Sequence, residues 1–155
     1  MKRMSLRLVF RAASAVALLL LTARGSRADV KVDVKQDPTT RLWRYAYTIQ
    51  NDSAIQSKGV GEIEEVELGT RDLIGADVPL MALLPKGWSV AWDKDDDDHP
   101  LVVWDSLGDE SDLKVDGLTS TFVLFSARSP GDATLTLVDG GGHEVPVTVQ
   151  GPTGD

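Results

Sequence analysis

The sequence predicts an all-β protein, an antiparallel β-sandwich with an immunoglobulin-like or fibronectin-like topology. Short segments with apolar residues at every second position follow one another along the chain, separated by turns rich in Gly, Pro, Asp and Asn. No segment shows the longer periodicity of a stable amphipathic helix. About seven to nine such strands are typical of a sandwich. A small barrel would give the same pattern and is the alternative.

The first two strands are the most regular. Residues 30–35 alternate valine with charged residues, which places the valines on one face of a half-buried strand. Residues 37–40 have the composition of a turn, and residues 42–49 resume the period of two. The predicted core face of this second strand carries Trp43, Tyr45, Tyr47 and Ile49.

The next segments alternate less clearly. Residues 63–68 predict a third strand with imperfect alternation. Its exposed side carries Glu62, Glu64, Glu65 and Glu67. Residues 70–78 predict an irregular connection with one helical turn at residues 72–74. Residues 80–84 are continuously apolar, which fits either a buried strand or a short helix.

Residues 84–104 hold three of the four tryptophans and predict a hairpin in the core. One strand carries Trp88, Val90 and Trp92, and the returning strand carries Leu101, Val103 and Trp104. Neighbouring residues in a strand face opposite sides. We therefore expect at least one of Val103 and Trp104 to be partly exposed.

The second half predicts further strands. Residues 105–117 read as a loop with a short strand, and residues 120–126 as a strand rich in β-branched and aromatic residues. After a turn at residues 129–132, residues 134–149 predict a hairpin closed by a glycine run. Pro146 cannot donate a ladder hydrogen bond, so the last strand should lie at an edge or carry a bulge.

Residues 1–28 predict a signal peptide. A basic start precedes an apolar run at residues 12–23, and small residues occupy the cleavage positions before Asp29. The run is too short for an ordinary membrane span, and an uncleaved anchor is the weaker alternative. We expect a secreted or periplasmic protein with one sandwich domain over residues 29–155.

The composition limits the partners. The chain has a net charge of −8, and residues 1–28 contain six of the 16 Lys and Arg but none of the 24 Asp and Glu. The mature chain would therefore carry 10 basic against 24 acidic residues, a charge of −14. This acidity disfavours nucleic acid and anionic membranes and favours cations or a basic partner. The chain contains no cysteine, so it forms no disulfide, and for an exported chain this favours a bacterial origin.

Five motifs occur in an order that resembles a group of exported bacterial β-sandwich domains, most of them uncharacterised. They are the Tyr-x-Tyr strand at residues 42–51, the Pro-x-Gly-Trp turn at residues 85–88, the later tryptophan at residues 103–104, the Phe-x-x-x-Ser strand at residues 122–126 and the Pro-Gly at residues 130–131. The resemblance covers most of the mature chain. It implies a sandwich fold and export, and no family of known activity.

The acidic tip of the central hairpin is the candidate metal site. Carboxylates at alternate positions occur in calcium loops, where several oxygens converge on a hard cation. The candidate ligands are Asp93, Asp95, Asp97 and Asp98, with Asp105, Asp109 and Asp112 as a second set. The tip lacks the glycine and glutamate that a helix-loop-helix calcium motif requires. A solvated charge run that keeps the tip soluble is the alternative.

The sequence shows no catalytic motif. His99 and His143 are the two histidines, and neither accompanies a nucleophile elbow, so both read as polar turn residues. A carboxylate-dependent hydrolase is the weakest alternative, since only geometry would select its two acids. The tryptophans and tyrosines could form a carbohydrate platform, but their strand spacing places them in the core first. Asn51 begins a glycosylation sequon, Asn-Asp-Ser.

The sequence therefore predicts a module that is not an enzyme and carries no cofactor other than potential calcium. We expect it to bind a protein or glycan partner, or to have a structural role, outside the cytoplasm. A calcium-dependent binding domain that uses residues 93–98 is the alternative.

Overall fold

The computed structural model describes residues 30–70 and 81–155, which form two antiparallel β-sheets with a shared core. Its elements are β1 (Val30–Gln36), β2 (Trp43–Ile49), α1 (Ser53–Gln56), β3 (Ile63–Gly69), β4 (Met81–Leu83), β5 (Trp88–Lys94), β6 (Pro100–Ser106), β7 (Ser120–Ser126), β8 (Gly131–Asp139) and β9 (Glu144–Gly151). One sheet has the order β1-β2-β7-β4 and the other β5-β6-β3-β8-β9. The predicted immunoglobulin-like β-sandwich is confirmed, and two separate sheets replace the single closed sheet of the barrel alternative.

The core lies between the inner faces of the two sheets and is rich in aromatic rings. Trp104 on β6 packs against Tyr47 on β2 and Phe122 on β7, with ring centroids 6.1 and 5.6 Å away. Trp88 on β5 meets Phe122 edge to face at 4.9 Å. Aromatic pairs of this geometry add to the stabilisation that their buried area provides. The strand spacing of the sequence therefore places these rings correctly in the core.

Two buried tyrosines bond to the backbone of distant segments. The hydroxyl of Tyr47 donates to the carbonyl of Gln150 on β9 at 3.1 Å, which joins the two sheets. The hydroxyl of Tyr45 donates to the carbonyl of Arg128 at 2.7 Å. Burial raises the pKa of both hydroxyls, so both keep their donor role in alkaline as well as neutral solution.

A β-bulge in β3 explains its imperfect alternation. The register of β3 against β8 shifts between Ile63 and Glu65, so one extra residue, Glu64, is accommodated there. The bulge turns Ile63 and Val66 into the core, where both are fully buried. It leaves Glu65 and Glu67 on the outer face of the five-stranded sheet.

The Pro-x-Gly-Trp turn fastens the central hairpin to the loop after β6. Gly87 has a positive φ of 84°, and a Cβ there would lie 1.8 Å from the Ser111 hydroxyl. The indole N–H of Trp88 donates to the carbonyl of Ser111 at 2.8 Å, and the amide of Leu107 donates to the carbonyl of Gly87. This turn needs glycine for both its conformation and its close packing.

Several positions differ from expectation. Trp92 is 40% exposed, because β5 is an edge strand with a hydrogen-bonded neighbour on one side only. Val103 and Trp104 are both buried, Val103 because its outward side chain lies between flanking side chains of the sheet face. Within the apolar run at residues 80–84, Met81–Leu83 form the edge strand β4, with Leu83 half exposed rather than buried.

Other expectations follow the sequence. β9 lies at a sheet edge, as Pro146 predicted, and the short strand in the loop after β6 is an isolated bridge between Leu113 and Ile63. The predicted signal peptide and the helical turn at residues 72–74 lie outside the described residues. Within the described ranges, no helix is long and apolar enough to cross a membrane.

Candidate functional site

The candidate site is the outer face of the five-stranded sheet, where two depressions adjoin. One has a volume of about 450 Å³ and the other about 430 Å³, and they share Glu67, Asp95 and Leu101. We call the first the hydroxyl-lined depression, because Thr70, Thr134, Thr136 and Thr153 contribute to its walls. We call the second the acidic depression. Its carboxylates come from Glu65, Glu67, Asp93, Asp95, Asp96, Asp97 and Glu144.

The strand order brings these residues together. β3 lies between β6 and β8, so Glu67 has Val103 as its neighbour on one side and Thr136 on the other. In the same way Glu65 lies directly beside Asp105 of β6. Side chains at alternate positions share one face of a sheet. Acidic and hydroxyl side chains from separate parts of the chain therefore meet on one surface.

Like charges at the centre of this face perturb each other. Partial burial, together with hydrogen bonding and repulsion from Asp105 and Glu67, raises the pKa of Glu65 to about 7. Burial also raises the pKa of Glu67, with repulsion from Glu144, Asp105 and Asp95 adding to it. Glu65 consequently holds a proton over much of the range below neutrality.

Lys94 is the one basic side chain among the described residues that line the acidic depression. Its ammonium lies 2.7 Å from the Asp98 carboxylate, within the hairpin tip. The carboxylates of Glu65 and Glu67 thus have no cation of their own among these lining residues. The face presents strong negative potential to solvent.

Most of the carboxylates predicted as calcium ligands form hydrogen bonds or ion pairs within the hairpin tip. One oxygen of Asp95 accepts from the amides of Asp97 and His99, and the other lies 3.0 Å from Nδ1 of His99. These bonds, led by that from the His99 amide, lower the pKa of Asp95. Asp93 accepts from the Lys94 amide. The carboxylate of Asp95 is therefore committed to shaping the loop.

The structure places the predicted ligands in separate local interactions. Within residues 30–70 and 81–155, no three carboxylates or histidines are grouped so that they could hold a metal ion. In the predicted second set, Asp105 lies beside Glu65, whereas Asp112 belongs to the loop after β6, 3.7 Å from the Lys114 ammonium. Calcium binding stays a prediction that the structure does not test.

Both histidines lie in turns of the same design. The turn at residues 139–143 repeats the Asp-x-x-x-His arrangement of residues 95–99, and Asp139 accepts from the amides of Gly141 and His143. Asp139 also accepts from the amide of Gly61 at 2.8 Å. Together these bonds lower the pKa of Asp139 to about 2. The sequence predicted that both histidines are polar turn residues. It did not identify the aspartate four residues earlier as the partner of each imidazole.

Two other sequence candidates are buried. The side chain of Asn51, 1% exposed, donates to the carbonyls of Gly61 and Leu113, so its amide is inaccessible to glycosylation in the folded protein. The aromatic residues considered as a carbohydrate platform lie in the core except for Trp92 and the half-buried Trp43. The sequence did not identify Glu65 and Glu67 as site residues. It did predict that these glutamates lie on the exposed side of the third strand.

The sequence matches no family model and no curated relative. A crystal structure of an uncharacterised protein from Nocardia farcinica, described as having an immunoglobulin-like fold, is similar at 10% identity and a TM-score of 0.46. The match covers 76% of this chain and 81% of that chain. The resemblance found in the sequence likewise included no family of known activity. The fold assignment rests on the two sheets and their strand order.

Proposed function

We propose that the protein is an exported, non-catalytic binding module whose binding surface is the outer face of the five-stranded sheet. One observation carries the proposal. Two adjoining depressions of about 450 and 430 Å³ collect hydrogen-bonding side chains on this face, and a sheet holds such side chains in fixed positions. The partner is a protein or glycan outside the cytoplasm.

A non-catalytic role is supported by the bonding of the candidate acids and bases. His99 and His143 each bond to the aspartate of their own turn. Among the described residues, neither imidazole is bonded to a serine or threonine hydroxyl that it could activate as a nucleophile. Export is supported by the signal-peptide pattern of residues 1–28, and its site is the periplasm or the medium.

Site-specific photo-crosslinking in the producing cell tests both parts of the proposal. A photoreactive residue replaces Thr134, which is exposed in the hydroxyl-lined depression, and in a matched control it replaces Thr121, which is exposed on β7 of the other sheet. We expect the exported chain to begin at Asp29 by mass spectrometry and to form a discrete adduct from position 134 alone.

Protease or glycosidase treatment of the adduct then identifies its class. The same adduct from both positions, or none from position 134, would overturn the assignment of this face. If the intact mass of the exported chain still includes residues 1–28, the prediction of signal-peptide cleavage before Asp29 is wrong.

A further inference from the structure

We propose that the partner is a protein that lays an extended segment bearing lysine or arginine across the outer face of the five-stranded sheet. This inference rests on the proposed function and names its ligand. Charge complementarity, the hydroxyl groups that adjoin the charges, and the absence of Phe, Tyr and Trp among the described lining residues all favour this occupant.

Charge complementarity is the first argument. Carboxylates from β3, β9 and the hairpin tip line the acidic depression, and Asp105 of β6 lies beside Glu65. The one described lysine that lines it, Lys94, is paired with Asp98. Complementary charge accelerates association and selects among partners. A basic side chain placed here would meet the carboxylates of Glu65 and Glu67, whereas Lys94 is paired with Asp98.

The hydroxyl-lined depression supplies the second argument. Thr134 and Thr136 can donate to and accept from the backbone of a chain that lies along the face. Thr70 and Thr153 already donate to backbone carbonyls and can accept only. Pro100, Leu101 and Ala133 offer apolar contact. Because the two depressions share Glu67, a segment that fills one continues into the other. The backbone of a bound peptide would meet the hydroxyl groups, and its basic side chains would meet the carboxylates.

A protein segment fits this face better than a neutral glycan. Sugar rings commonly stack on exposed Trp, Tyr or Phe side chains, and none of these is among the described residues that line the two depressions. The imidazole of His99 lines the hydroxyl-lined depression, but it is bonded to Asp95. The rings of Tyr47, Trp88 and Trp104 are turned into the core. The exposed Trp92 sits at the edge strand, and it lines neither depression.

Binding of a basic segment at the like-charged centre of this face should be coupled to proton release. The groups that face Glu65 and Glu67 are Asp105 on β6, Glu144 on β9 and Asp95 in the tip. An arriving cation relieves their repulsion and favours the ionised form of Glu65, whose pKa lies near neutrality. Binding should release protons, so affinity should rise with pH.

The test uses an eight-residue peptide that alternates lysine and serine, with a glutamine-serine peptide for comparison, in calorimetric titrations of the mature protein. We expect the lysine peptide to bind about threefold more tightly at pH 8 than at pH 6, with proton release near neutrality. Glu65→Gln should remove the pH dependence. Glu67→Gln with Asp105→Asn should weaken binding about tenfold at pH 8.

The matched control is Asp109→Asn with Glu110→Gln, which removes the same charge from an exposed loop outside both depressions. We expect less than about a twofold effect. Equal weakening by both double variants, equal binding of the glutamine peptide, or no binding of the lysine peptide would overturn the inference. If position 134 still gives its specific crosslink in those cases, the outer face remains the binding surface and only the basic protein segment is rejected as its partner.

Discussion

At the residue scale, glycines with the same backbone conformation play different roles. Gly59 and Gly87 have φ values of 88° and 84°. A Cβ on Gly59 would meet open space, whereas one on Gly87 would collide with Ser111. The carbonyl of Ser111 also accepts a hydrogen bond from the indole N–H of Trp88, whose side chain is buried in the core. The turn therefore couples a local backbone requirement to the packing of the central hairpin.

This difference gives a prediction with a built-in control. Gly59→Ala should cost about 1 kcal/mol of unfolding free energy, the price of a positive φ in a residue with a Cβ. Gly87→Ala carries the same conformational cost and the collision, so it should cost at least about 2 kcal/mol more. Urea unfolding monitored by tryptophan fluorescence measures both. Equal losses in the two variants would contradict the role assigned to Ser111.

At the element scale, β3 determines the character of the outer face. Its bulge keeps Val66 and Leu68 in the core while Glu65 and Glu67 point outward. Glu65 then lies between like charges, with its pKa raised to about 7, mainly by partial burial. The acidic tip, in contrast, bonds its own backbone. The two acidic groups should therefore respond differently to pH and to cations.

The strand β3 should make stability depend on pH. A carboxyl group whose pKa is higher in the folded than in the unfolded state binds more protons when folded, so stability falls as pH rises from about 4.5 through about 7. We expect the thermal midpoint to decline between pH 5 and pH 8. Glu65→Gln should flatten this decline and make the protein more stable than wild type at pH 8.

Glu110→Gln, a neutralisation in an exposed loop, is the control for that measurement and should leave the decline unchanged. A decline of wild-type size in Glu65→Gln would assign the pH dependence to other groups.

The hairpin tip gives a prediction about calcium. A micromolar site would add about 4 kcal/mol of stability at millimolar calcium and raise the midpoint by several degrees. Because Asp95 is committed to loop hydrogen bonds, we expect calcium to shift the midpoint by less than about 1 °C relative to a chelator. A shift of several degrees that Asp93→Asn with Asp97→Asn abolishes would establish the metal site that the sequence suggested.

At the scale of the whole molecule, the sandwich separates its aromatic residues from its charges. The rings of Tyr47, Trp88, Trp104 and Phe122 meet between the sheets, and the hydroxyl of Tyr47 bonds across to β9. The outer face of the five-stranded sheet collects carboxylates and threonines instead. A chain without cysteine is thus held by packing and hydrogen bonds, and the outer face of its five-stranded sheet is polar and concave.

The sequence by itself determined most of the strands, their turns and most of the core, because alternation and turn chemistry are local properties. It left residues 80–84 open between a strand and a short helix. From Pro146 it limited the last strand to an edge or a bulge, and the structure has it at the edge. Tertiary structure decided which residues share a surface: β3 lies between β6 and β8, so Glu65 meets Asp105 and Glu67 meets Thr136. It also decided that Trp92 is exposed and Val103 buried. Strand order depends on contacts between distant segments, which local periodicity does not encode.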